Sequence, residues 1–316
     1  MRPYLEQVLK GTSWLDETWH FDYRAEDKRL HTLAVARRMR EFGFDLAVLF
    51  SNSLRTAALA WLGGAKQRVG YARYQRGPLL TIKVERAKLG NRRTPKPMVD
   101  SYLALAEAVG CSNLSRRLEL ATTDADEISA EAVFRRLGLR RDGAIVALNS
   151  TGAYGSARLW PSEHCAEFAR RIVAQLNHDV LVLCGPQERD HARAIAQEAR
   201  SDRVFSMADQ PMDLGTAKAC IRGTRLVVST DSGPRHVAAA FGKPLVTLYG
   251  PMSPIWGENP TQFAVNLHLD LDCIGCNQRV CPLTHHRCMQ GLTVDRVFAA
   301  VSKLVTQPAL PRRCAA

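Results

Sequence analysis

Three stretches carry the residue types that could do chemistry. The first is Asn149-Ser-Thr-Gly-Ala-Tyr-Gly-Ser-Ala-Arg-Leu-Trp-Pro161, a Gly-containing loop behind an apolar run, with Ser150, Thr151 and Gly152 at its start and Arg158 near its end. The second is Leu226-Val-Val-Ser-Thr-Asp-Ser-Gly-Pro-Arg-His-Val-Ala-Ala-Ala240, which reads as strand, polar turn and Ala-rich helix. The N–H groups that open a helix have no partner within it and carry partial positive charge, so Ser232 and Gly233 can hold a phosphate. Asp231-Ser232 ahead of a helix is equally an ordinary cap, and His236 one turn on is by itself a core histidine. The third stretch, Cys273-Ile-Gly-Cys-Asn-Gln-Arg-Val-Cys-Pro-Leu-Thr-His-His-Arg-Cys288, spaces Cys273, Cys276, Cys281 and Cys288 as C-x2-C-x4-C-x6-C. Four thiolates at such spacing can close a tetrahedral zinc or iron site; reduced thiols packed in a loop are the plain alternative. With no export signal in the sequence, metal explains them better than disulfides.

The elements that position these residues follow an alternating pattern. Residues 29–43 read as a basic amphipathic helix, Phe44–Phe50 as a buried strand, and Ser51-Asn-Ser53 as the start of a short helix ending at Gly63-Gly64. Arg68–Tyr71 reads as a short strand, 72–97 as an Arg-, Gly- and Pro-rich mobile loop, and 97–110 as helix. Residues 121–126 read as a linker ahead of a helix over 127–137. Beyond it, strands at Ala144–Leu148, Val180–Cys184, Leu226 onward and Leu245 onward alternate with helices. In the helix after Pro161, Cys165, Phe168, Ala169, Ile172 and Leu176 recur at helical spacing. Such alternation implies an α/β fold with parallel sheets flanked by helices. Cys111, Cys165, Cys184 and Cys220 read as buried core thiols.

At 316 residues, two domains of ordinary size are the default. No run of eighteen apolar residues suggests a membrane span, and Met1-Arg-Pro-Tyr-Leu-Glu-Gln-Val8 has no apolar core of a secretory signal. The net charge of +12 favours an anionic partner. The basic residues are spread along the chain without a helix-turn-helix, zinc-finger or RNA-binding signature, which argues against nucleic acid. No G-x-G-x-x-G follows a strand, which argues against a dinucleotide-dependent dehydrogenase.

Thr230-Asp-Ser-Gly-Pro-Arg-His236 together with Leu248-Tyr-Gly-Pro-Met-Ser-Pro254 resembles the lipopolysaccharide heptosyltransferases, glycosyltransferase family 9, most of all the heptosyltransferase II branch. The resemblance extends over nearly the whole chain. It implies a GT-B architecture of two Rossmann-like domains: an acceptor-side domain over 1–122, incomplete at its N-terminus, an ADP-sugar-binding domain over 123–306, and a tail over 307–316. It implies inverting transfer of heptose from ADP-heptose to the inner core of lipopolysaccharide, by a cytoplasmic protein peripheral at the inner membrane. No cofactor is required for transfer, and the four-Cys segment is left as a structural zinc or iron site.

Position by position, the resemblance implies a donor site of Ser150, Thr151, Gly152, Arg158, Glu188, Met212, Asp231, Ser232, Gly233 and His236. Arg158 and Asp231 are the catalytic candidates among them. Arg158 stands where the family usually has Lys, keeping the charge with a different reach. Asp231 matches a sugar-hydroxyl ligand, Glu188 the ribose carboxylate and Met212 the residue against adenine. Asn52, Ser53 and Arg55 fall on the acceptor side. The family's strand and Gly-Asp loop carrying the general base has no counterpart here; Trp14-Leu15-Asp16 reads as loop. Two alternatives stay open: a related transferase acting on a protein acceptor, and a nucleotide-sugar-binding protein without turnover.

Overall fold

The computed structural model describes residues 1–306 except Arg86, Ala87, Gly90, Asn91, Thr94, Arg141, Ala153, Met212 and Thr261. The chain divides into two compact units, Met1–Glu6 with Trp14–Arg116, and Gln7–Ser13 with the chain from Arg117 onward.

The first unit is built on a parallel three-stranded sheet, β1 (Leu46–Val48), β2 (Gln67–Tyr71) and β3 (Ile82–Val84), in the order β1-β2-β3. The helix Thr32–Phe42 ends at Gly43, whose φ of 80° is a left-handed value that glycine adopts at little cost. Ser53 caps the helix Leu54–Leu62 by accepting from the Thr56 N–H at 3.1 Å. Val69, Tyr71 and Leu105 form the buried core here, and the Tyr71 hydroxyl donates to the Ser101 carbonyl at 2.8 Å. The expected loop over 72–97 is corrected: it contains β3 and a two-residue antiparallel ribbon, β4 (Lys88–Leu89) with β5 (Arg92–Arg93). A strand as short as Ile-Lys-Val shows no period of its own, and pairing with β2 is what makes it one.

The second unit holds six strands, β6 (Ile145–Asn149), β7 (Asp179–Val182), β8 (Val204–Ser206), β9 (Leu226–Thr230), β10 (Leu245–Leu248) and β11 (Ala264–Leu267). Their order is β11-β10-β9-β6-β7-β8 and every pairing is parallel. Side chains alternate across a strand, so each strand feeds both cores. Val146, Leu148, Val180, Val182, Val228 and Val246 face one side, against Phe168, Ile172, Ile195 and Val301 of helices Ser162–Leu176, Arg189–Glu198 and Val294–Val305. Ile145, Ala147, Leu181, Val227 and Leu245 face the other, against Val133, Phe134, Ala219, Ile221 and Ala238 of helices Asp124–Leu137, Leu214–Gly223 and Gly233–Ala240. The helical positions expected after Pro161 are buried, with Leu176 packed at the margin. Thr123 and Asp126 close a capping box at the start of Asp124–Leu137, each satisfying the other's backbone N–H.

Read along the chain, this sheet order is 3-2-1-4-5-6, the doubly wound arrangement. The winding reverses between β6 and β9, and in sheets of this kind such a reversal opens a crevice at the carboxyl ends of the strands. Lys218, fully buried, anchors the early segment to this unit: its ammonium donates to the Gln7 and Lys10 carbonyls at 3.0 and 2.9 Å and lies 3.3 Å from the Asp126 carboxylate. Among the described residues, no helix is long and apolar enough to cross a membrane.

Candidate active site

The loops that leave β6 and β9 meet at the switch point. Asn149 and Ser229 are register partners at the ends of these strands. The Asn149 side-chain amide donates to the Ser232 hydroxyl at 2.8 Å, to the Ser229 hydroxyl at 3.2 Å and to the Thr151 carbonyl at 3.0 Å. The Thr230 hydroxyl donates to the same carbonyl at 2.7 Å. A methyl group on Gly152 would lie 3.2 Å from the Ser232 β-carbon, so the missing side chain lets the two loops close up. Ser150 is buried and its hydroxyl lies 3.2 Å from His191 Nε2, tying in the helix that follows β7.

Charge is concentrated at this point. An Arg158 N–H donates to the Asp231 carbonyl, and its guanidinium comes within 4.0 Å of the Asp231 carboxylate. The same guanidinium stacks on the Tyr154 ring at 4.3 Å. Arg235 approaches that carboxylate from the other side at 3.4 Å, while donating to the Gly257 carbonyl at 2.9 Å and the Thr247 hydroxyl at 3.4 Å. Arg235 is fully buried and Arg158 nearly so. Burial pulls the Arg158 pKa down and Asp231 pulls it back up, yet an arginine stays charged. Withdrawal of the ring from water, and then the neighbouring Arg235, lower the His236 pKa to about 4. Its imidazole is therefore neutral and can accept from the Arg235 N–H that lies 3.2 Å from Nε2.

Two guanidinium groups against one carboxylate leave a net positive charge here. The helix Gly233–Ala240 adds its N-terminus, with Ser232 at the cap and nothing within 4 Å of the Gly233 position where a side chain would stand. The arrangement suits an anion with several oxygens, a diphosphate above all.

Of the donor residues expected from the sequence, Ser150, Thr151, Gly152, Arg158, Asp231, Ser232, Gly233 and His236 come together at this crevice. Glu188 stands beyond the end of β7, one carboxylate oxygen accepting from the Gly185 N–H at 2.7 Å. Met212 lies outside the described residues. Asn52, Ser53 and Arg55 belong to the first unit. There Asn52 accepts from the buried Arg76 at 2.9 Å, Ser53 acts as a helix cap and Arg55 stacks on Tyr23 at 3.3 Å. A cavity of about 510 Å³ in that unit, bordered by Trp19, His20, Arg29 and Arg38, involves none of these three.

Sequence reasoning passed over Asn149, Tyr154, His191 and Arg235. Arg235 did carry a signal, a cation four positions after Asp231 and so one helical turn from it, the spacing at which opposite charges pair.

A family model described as glycosyltransferase family 9 (heptosyltransferase) matches residues 32–286. The chain belongs to glycosyltransferase family 9. It is 30% identical over 175 residues to lipooligosaccharide heptosyltransferase 2 of Campylobacter jejuni, a match covering 53% of each chain, so it spans about half the length of that curated relative. A family 9 glycosyltransferase structure from Veillonella parvula superposes with a TM-score of 0.78 at 21% identity, covering 96% of this chain and 86% of the other. The structure of the ADP-heptose lipopolysaccharide heptosyltransferase II of Escherichia coli gives 0.68 at 22% identity, covering 87% and 80%. At these identities the structural likeness concerns the fold, which is the α/β, GT-B-type arrangement expected from the sequence.

The cysteines fall into two groups. Cys165 and Cys220 are buried core thiols, burial raising the pKa of Cys220 to about 12. Cys184 is half-buried, and Cys111 corrects its expectation by being exposed, just past the end of the helix Met98–Glu107. Cys273, Cys276, Cys281 and Cys288 carry free thiols and border one cavity of about 30 Å³, together with His285 and His286. As they stand, no three His, Cys, Asp or Glu side chains among the described residues form a group arranged to hold a metal ion.

Proposed function

We propose that this chain transfers heptose from ADP-heptose, with inversion, to the inner core of a lipopolysaccharide. The observation that carries the reading is the excess positive charge at the β6–β9 switch point, where Arg158, Arg235 and a helix N-terminus surround the single carboxylate of Asp231. Breaking the bond between sugar and diphosphate sends negative charge onto the departing phosphate oxygens. Groups already aimed at that place lower the barrier, because they need no reorganisation as the charge develops. Arg158 and the N–H groups at Ser232 and Gly233 fill that role. Asp231, held by two guanidinium groups, presents its carboxylate to a sugar hydroxyl and orients the sugar for in-line attack. Glu188 at the neighbouring strand end takes the ribose.

The acceptor is a phosphorylated glycolipid at the cytoplasmic face of the inner membrane, a partner that fits a chain of net charge +12. Asn52, Ser53 and Arg55 belong to its side. Transfer itself requires no cofactor in this reading.

Calorimetry with ADP-heptose tests the donor half. The chain should bind it, and Asp231→Ala and Arg158→Ala should each weaken binding. Equal affinity in all three proteins would sink the assignment. Incubation with ADP-heptose and a deep-rough lipopolysaccharide, read by mass of the product glycolipid, tests the transfer.

A further inference from the structure

The four-cysteine segment is packed directly on the loop that carries Arg158. The Tyr154 hydroxyl donates to the Asn277 carbonyl at 2.6 Å, and the Ala157 N–H donates to the Arg279 carbonyl at 3.0 Å. His286 Nε2 lies 2.7 Å from the Ala157 carbonyl and takes the donor role toward it. Gly155, at φ 149°, lies so close to Arg279 that any side chain would overlap the Arg279 carbonyl. The Tyr154 ring lies beside both Arg158, at 4.3 Å, and Arg279, at 5.4 Å. On its other flank the segment is tied to residues 250–251, where the N–H groups of Gly275 and Asn277 donate to the Gly250 and Pro251 carbonyls at 3.2 and 2.7 Å.

Residues 271–288 contain no regular element longer than the start of the four-residue helix Arg287–Gln290. A loop of that length has little of its own to hold it in one conformation. Yet all four cysteines border one common space of about 30 Å³, Gly275 making the turn within Cys273-Ile-Gly-Cys276 at φ 72°. None of the four is spent in a disulfide.

We propose that Cys273, Cys276, Cys281 and Cys288 take one thiophilic divalent cation, zinc or ferrous iron, and that the loaded segment clamps the Tyr154–Arg158 loop. Four sulfurs suit these ions and no hard cation. The thiols now stand around the cavity, and side-chain rotation draws them onto the ion as their protons leave to solvent. The ion touches no substrate. It acts through the backbone contacts at Asn277 and Arg279, so it is a structural partner of the donor loop. The link to donor affinity rests on the donor reading given above; the link to the loop does not.

The experiment starts from protein purified in reducing, oxygen-free buffer and compares it with chelator-stripped and zinc-reloaded samples. Elemental analysis should find one zinc or iron per chain, and stripped protein should take up zinc. Hydrogen exchange across residues 154–160 should speed up on stripping and slow again on reloading, because the Ala157 amide is held by the segment. ADP affinity should fall on the order of tenfold on stripping and recover with zinc. The double variant Cys273→Ser with Cys276→Ser should behave as stripped protein that zinc does not rescue. A chain that arrives metal-free and takes up no zinc overturns the site. Zinc uptake without any change in exchange over 154–160 overturns the clamp. Zinc-dependent exchange in a chain that binds no ADP in any state supports the clamp and counts against the donor reading alone.

Discussion

Asn149 at the end of β6 and Ser232 in the turn after β9 are eighty-three positions apart, and the Asn149 side-chain amide donates to the Ser232 hydroxyl at 2.8 Å. The same amide reaches Ser229 and the Thr151 carbonyl, so one buried side chain ties the end of β6 to the turn after β9. Removing it leaves several buried acceptors without this donor. Asn149→Ala should cost about 1–3 kcal/mol in urea unfolding. It should also weaken ADP binding, since the loops that face the phosphates lose their tie. Unchanged stability would mean that the Thr230 hydroxyl alone keeps the loops together.

Arg235 shares the Asp231 carboxylate with Arg158 and contributes half of the positive charge at the crevice. Arg235→Met keeps much of the buried volume and removes the charge. ADP affinity should drop roughly tenfold or more, the scale of one charge-assisted interaction. Arg235→Lys should recover part of it, as the charge returns without the forked geometry. Calorimetry showing Arg235→Met to bind like the parent would leave the diphosphate to Arg158 alone.

The folded-state pKa of His236, lowered to about 4 from an ordinary value near 6.5, makes a stability prediction with a definite sign. Between those pH values the unfolded chain binds the proton and the folded chain does not. Stability is therefore fully present above about pH 6.5 and declines as the pH falls toward 4. His236 keeps an exposed surface, so water screens part of the effect and the expected loss is about 1 kcal/mol. Urea midpoints measured from pH 4 to 7 should show this slope, and His236→Asn should flatten it. An identical slope in both proteins would place the titrating group elsewhere.

Gly155 offers a test of the loop against its support. With φ at 149° and the Arg279 carbonyl against it, Gly155→Ala cannot keep the present backbone. It should lower stability by about 1–3 kcal/mol. It should also release the Ala157–Arg279 hydrogen bond, seen as faster exchange of the Ala157 amide. Gly143→Ala, also at positive φ but with nothing within 4 Å, is the control for backbone strain alone. Equal destabilisation by the two would remove the Arg279 contact from the account.

Much of the second unit was legible because its strands are buried on both faces and its helices on one. Val-rich runs such as Leu226-Val-Val and the spacing of Cys165, Phe168, Ala169 and Ile172 report that burial directly. The first unit was less so. β3 has three residues and β1 keeps three of the seven expected from Phe44–Phe50, since each exists only through its hydrogen bonds to β2. Edge strands β8 and β11 escaped for the same reason. Cys111 shows the limit of residue type as a guide: a thiol is usually inside, but this one follows a helix end that faces solvent.

By itself the sequence determined the α/β class, the two loops suited by residue type to meet an anion, and the spacing of four thiols, because all three depend on residues close along the chain. Only the tertiary structure decided that β6 and β9 are neighbours, that Arg235 turns inward to Asp231, and that the thiol segment lies against the Arg158 loop. These are contacts between residues far apart in sequence. They are set by which buried faces pack together and by which hydrogen-bonding groups must find partners once water is excluded.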